Sequence, residues 1–105
     1  MNRVPRFALV LTLGMAAALS GCRPAQIGVD PDAFKAVDAL YTAVSLRAPK
    51  LVAQCDANLQ TLHTAGKIPD AAASTLDALI ARANKGEWEP AIDGLAQFMA
   101  GQRRH

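Results

Sequence analysis

Cys22, Cys55, His63 and nine carboxylates are the side chains of this 105-residue chain with types and spacing that invite chemistry. Cys55 and His63 lie eight residues apart, about two turns and one similar face if the segment is helical. One thiol and one imidazole do not complete a metal shell, and nothing follows C-x-x-C or H-E-x-x-H spacing. The carboxylates Asp32, Asp38, Asp56, Asp70, Asp77, Glu87, Glu89 and Asp93 are scattered over helix starts and polar faces. There they serve better as caps and dipole partners than as acid–base pairs. No glycine-rich phosphate loop, nucleophile elbow or triad spacing occurs. These residues predict no enzyme, no catalytic residue, no metal site and no cofactor. Cys22 differs from the rest: it closes an apolar run behind two small residues, Ser20 and Gly21.

Arg3 and Arg6 precede that run, and Phe7 to Leu19 is apolar, the proportions of an export signal. A spanning helix needs roughly 20 apolar residues, more than this segment has. Leu19-Ser20-Gly21-Cys22 resembles the lipobox of bacterial lipoproteins. The resemblance implies cleavage between Gly21 and Cys22, diacylglycerol on the Cys22 thiol and a further acyl chain such as palmitate on its amine. It places the product in the cell envelope, held to a membrane by lipid. Arg23 follows where an aspartate would signal inner-membrane retention, so the expectation is the outer membrane, facing the periplasm, if the source is Gram-negative. An uncleaved short anchor, a buried N-terminal helix, or an ordinary signal peptide beside a chance cysteine are the competing readings of the same residues.

Without residues 1–21 the charge changes. Arg3 and Arg6 account for the whole net charge of +2, because nine basic residues then face nine acidic ones. A neutral domain has no electrostatic footprint for nucleic acid. Arg103-Arg104-His105 is locally basic and reads as a solvated tail. Residues 22–105 allow one domain, close to the size at which one core gives only marginal stability. Abundant alanine and few aromatics favour closely packed helices over a sheet.

The elements follow from stripes and punctuation. Residues 22–30 contain a proline, a glycine and no periodicity, which predicts a flexible tether. Asp30-Pro31-Asp32 supplies a cap, a first-turn proline and an acid at the positive end of a helix. Phe34, Val37, Tyr41, Val44, Ala48, Leu51, Cys55 and Leu62 then recur at steps of three and four, with Asn58 interrupting beside Leu59. Pro49 lies within the stripe. Either one helix kinks there, or two helices meet with Pro49 in the first turn of the second. The unbroken phase favours the kink. Gly66 ends this element, Pro69-Asp70 starts a helix with Leu76, Leu79, Ile80 and Ala83 inward, and Asn84-Lys85-Gly86 ends it. A last helix, from about Glu87 to Ala100, turns Trp88, Ala91, Ile92, Leu95, Phe98 and Met99 inward. The expectation is all-α: a small antiparallel bundle over 31–105, made of a long helix kinked near Pro49 and a C-terminal helical hairpin.

Cys55-Asp56, Leu59, Leu62, Gly66-Lys67-Ile68-Pro69, Leu76, Leu79, and Trp88 with Ala91 and Met99 resemble the helical domain of steroid receptor RNA activator protein. That resemblance, covering Cys55 to Met99, implies a helical module for protein interaction with no catalytic residues to transfer. An export signal is foreign to that family, so no RNA-related role follows. Gly86 to Ile92 also resembles the middle of a tetratricopeptide unit, and one unit cannot build a solenoid.

Two functions fit. One is an envelope-tethered, non-catalytic module that docks onto a protein partner or another copy of itself, or gives structural support. The other is a small-ligand or metal-handling lipoprotein using the bundle core around Cys55 and His63. Cys55 and Trp88 are the residues offered for thiol chemistry or interaction. For Cys55, an inert core position, a disulfide between chains and redox chemistry all stay open.

Overall fold

The computed structural model describes residues 25–102. Asp30 opens the first helix as the sequence predicts. Its Oδ1 accepts from the Asp32 amide at 2.9 Å and the Ala33 amide at 3.3 Å, ahead of Pro31 at the first helical position. Four helices follow among the described residues: α1 (Pro31–Ser45), α2 (Pro49–Thr64), α3 (Asp70–Asn84) and α4 (Trp88–Ala100). No strand occurs among those residues, and the expected all-α bundle is present.

Each helix runs antiparallel to the one before it, and α4 closes the ring against α1. Polar pairs across the seams mark the directions. Lys67, after α2, lies 3.3 Å from Asp32 at the start of α1. The Gln60 amide donates to Asp77 of α3 at 2.9 Å. Arg47, after α1, meets Glu89 at the start of α4 at 2.9 Å.

The long helix kinked near Pro49 is corrected to two helices that fold back on each other. Pro49 forces Ala48 out of the helical region (φ −106°, ψ 95°), and Arg47 takes a left-handed conformation (φ 53°). The amide of Arg47 donates to the Val44 carbonyl (2.9 Å) and that of Ala48 to the Ala43 carbonyl (3.1 Å), the paired closure of a Schellman turn. The stripe does not keep its phase across Pro49: Leu51, expected inward, is exposed, and its neighbour Val52 is buried instead, because the second helix starts afresh after the turn.

The other two corners repeat this closure with glycine in the left-handed position. Gly66 (φ 79°) and Lys67 bond back to His63 and Leu62, and Gly86 (φ 82°) and Glu87 to Ala83 and Arg82. Arg47 therefore occupies a glycine's place, where a side chain costs about 1–2 kcal/mol. Its exposed ion pair with Glu89 returns at most about 1 kcal/mol. Arg47→Gly is accordingly expected to raise unfolding stability by about 0.5–1 kcal/mol, after glycine's greater unfolded-state entropy is counted. A urea midpoint that falls instead would assign the larger effect to the ion pair.

The core among the described residues is wholly apolar, and seven of its eighteen members are alanine. Leu40, Leu76, Leu95, Val44 and Val52 supply the larger fully buried side chains. Phe34 and Tyr41, expected on the inner stripe, are half-buried at its edge. Ala33, Ala36, Leu40 and Ala43 form the central line of α1 in their stead, because small residues let neighbouring helices approach closely. Gly94 of α4 leaves room for a neighbour: a Cβ there would collide with the end of the Leu79 side chain of α3.

Candidate functional site

The lipidation and cleavage residues of the sequence reading, Cys22 and Gly21, lie outside the described residues, as does the tail 103–105. What is described begins three residues after Cys22, and it is docked. Ile27, within the segment expected as a flexible tether, is 1% exposed and belongs to the core, with Ala25 packed against it.

Gln102 holds this strap. Its Nε2 donates to the Ala25 carbonyl at 2.9 Å and to the Phe98 carbonyl at 2.7 Å, while its Oε1 accepts from the Ile27 amide at 2.7 Å. The Gln26 side chain donates to the Gly101 carbonyl at 3.0 Å. One carboxamide thus satisfies the strap's backbone from both sides and ties residues 25–27 to the end of α4. Gln102→Ala removes these partly buried bonds and is expected to cost about 1–2 kcal/mol of strap docking. Hydrogen exchange at the Ile27 amide should accelerate roughly ten-fold or more, at 1.4 kcal/mol per decade, with amides in the middle of α1 unchanged. Unchanged protection at Ile27 would contradict the clamp.

Cys55 and His63 are both on α2, but they have different partners. Cys55 is a free thiol, half-buried and packed against the core. Burial pushes its pKa up, which disfavours the thiolate. His63 Nε2 stands 2.7 Å from Asp70 Oδ1 at the α2–α3 corner, next to an almost fully exposed carboxylate. Among the described residues no three His, Cys, Asp or Glu side chains are grouped to hold a metal ion.

Alkylation of Cys55 by iodoacetamide at pH 8 is expected to be several-fold slower in the native protein than in urea, since the ordinary thiol pKa is about 8.5. The same shift sets a pH dependence. The folded pKa lies above the unfolded one, so the contribution is fully present below about pH 8.5 and is lost as pH rises through the folded value. Equal alkylation rates in the two states would refute the burial of the thiol.

Trp88 begins α4 and is half-buried against the core, so much of its ring serves the fold. The exposed large apolar side chains are elsewhere: Leu46 (64%) and Leu51 (42%) flank the α1–α2 corner, and Val29 (71%) follows the strap. Shallow depressions among the described residues include one lined by Gln60, Thr61, Thr64 and Ala65, and another lined by Asp32, Lys35, Ala39, Asn58 and Leu62 between α1 and α2. Sequence reasoning missed Gln26, Gln102 and Leu46, and it placed Leu51 on the inner stripe, where the structure has Val52 instead. Only the apolar character of the two leucines was a signal; a glutamine that bonds 77 residues away leaves no local pattern.

No family model, curated protein or solved structure matches the chain. Residues 55–99, which carry the resemblance to the steroid receptor RNA activator domain, span the second half of α2, α3 and nearly all of α4. Among the described residues no helix is long and apolar enough to cross a membrane.

Proposed function

We propose that this chain is a lipid-anchored bacterial lipoprotein whose helical bundle is a non-catalytic module for protein–protein interaction or structural support in the cell envelope. The observation that carries the reading is Leu19-Ser20-Gly21-Cys22 at the end of a charged-then-apolar segment. In this reading residues 1–21 are removed, and acyl chains on Cys22 hold the remainder at the membrane. Several chains together give stable anchoring where one gives only marginal binding.

The interaction role is supported by Leu46 and Leu51, two exposed leucines that flank one corner of the bundle. A photo-crosslinking residue at position 46 in the living source cell should trap a discrete envelope protein or a second copy of the chain. A crosslink-free monomer would overturn the interaction role and leave the anchor reading intact. The anchor itself is tested by Cys22→Ser, argued in the Discussion.

A further inference from the structure

We propose that the strap sets the orientation of the bundle on the lipid surface: the end formed by residues 25–29, the α2–α3 corner and the end of α4 faces the bilayer. The corners at Arg47 and Gly86 then project away from it. The inference rests on the reading of Cys22 as the lipid-bearing residue.

The argument is one of chain length. A tether free from Cys22 to Asp30 would contain eight peptide units and reach about 28 Å. That exceeds the length of α1, which is 15 residues and hence about 22 Å. A bundle on such a leash could turn either end to the surface. The strap removes that freedom. Ala25 is fixed to Gln102 through its carbonyl (2.9 Å), Ile27 through its amide (2.7 Å), and the Ile27 side chain is buried. Only three peptide units then separate Cys22 from a fixed point on the bundle, about 11 Å fully extended. This is half the length of a helix, so the clamped end cannot be the far end.

The surface agrees with this placement. Val29, 71% exposed, stands beside the strap, where an apolar side chain would meet the interface. Leu46 and Leu51 lie at the opposite end, left open to whatever the envelope presents. At the clamped end, Asp32 is engaged by Lys67, and Asp70 by His63. The described carboxylates nearest the lipid are therefore partnered.

The experiment uses the full chain expressed with its signal, purified and placed in phosphatidylcholine vesicles carrying a headgroup-attached energy acceptor. A single dye is attached at Ala65→Cys (clamped end) or Lys85→Cys (far end) in a Cys55→Ala background. A genetically encoded ketone residue at 65 or 85 gives the same readout without altering Cys55, should that variant fold poorly. The dye at 65 is expected to lie roughly 20 Å nearer the lipid than the dye at 85, the length of α3. Ten Gly/Ser residues inserted between Pro24 and Ala25 leave every described contact in place and should abolish most of that difference. Equal heights without the insertion, or a difference the insertion leaves unchanged, would overturn the orientation. Intact mass separates the two ideas. No lipid on Cys22 overturns the anchor reading and the orientation with it, whereas lipid present with equal heights overturns the orientation alone.

Discussion

Leu40→Ala is expected to lower the stability of the bundle by about 3–4 kcal/mol, a large fraction of what so small a domain holds. Leu40 is 0% exposed and sits midway along α1, the helix that packs against both α2 and α4. The described bundle is small, and at about 0.05–0.15 kcal/mol per residue a domain of this size holds only about 4–12 kcal/mol in total. With alanine at seven of its eighteen core positions, few large side chains share the burial. A core so rich in alanine has few large side chains able to move into a cavity left at Leu40. Leu95, also 0% exposed and on α4, should behave alike. The control is Leu46→Ala: that side chain is 64% exposed, and its truncation should change stability by less than about 0.5 kcal/mol. Thermal and urea unfolding of the three variants decide the matter. A loss at Leu40 no larger than at Leu46 would refute the packing described.

Cys22→Ser is expected to abolish lipid attachment and to leave residues 1–21 uncleaved, while leaving the bundle folded. In the proposed lipoprotein a serine hydroxyl would not form the thioether that carries diacylglycerol, and processing at Gly21, which would wait on that lipid, would fail. Each buried methylene contributes about 0.8 kcal/mol, so losing whole chains would eliminate the lipid anchor rather than weaken it. The fold should not respond, because the contacts that hold the strap begin at Ala25. Palmitate labelling should vanish in Cys22→Ser and persist in Cys55→Ser, and helical content should match the parent. Continued labelling of Cys22→Ser would show that the lipid is attached elsewhere.

Much of the fold was legible because the helices are bounded by residues with narrow backbone preferences. Asp30-Pro31, Gly66, Pro69 and Gly86 stand where the sequence reading placed starts and stops. The α1–α2 corner was not legible for the same physical reason in reverse. Its left-handed residue is an arginine, the type such a position disfavours, so no glycine announced the turn and Pro49 was left ambiguous. The core was legible in its leucines and less so in its alanines, since an alanine reads equally well on an exposed or a buried face. The exposed Ala39 and the buried Ala36 of α1 differ only by the helix's rotation against its neighbours. As for the sites, Cys55 sits on the apolar stripe where its spacing put it, and Trp88 at the start of α4. The strap was invisible because its partner lies at the other end of the chain, and Pro24 and Gly28 looked like a linker.

The ring of helices has a consequence for the order of events as the chain is made. The α1–α2, α2–α3 and α3–α4 pairs are hairpins between sequence neighbours, and such local pairings form quickly. Among the described residues, the closure of α4 on α1 is the largest helix pairing that joins distant parts of the chain. Until α4 arrives, the inner faces of the first three helices have no complete cover, and that interval is when a chaperone would find apolar surface to hold. Gln102 is synthesised 77 residues after Ala25, so the strap locks only when the ring has closed. The same carboxamide that shortens the leash thereby distinguishes a finished bundle from an unfinished one.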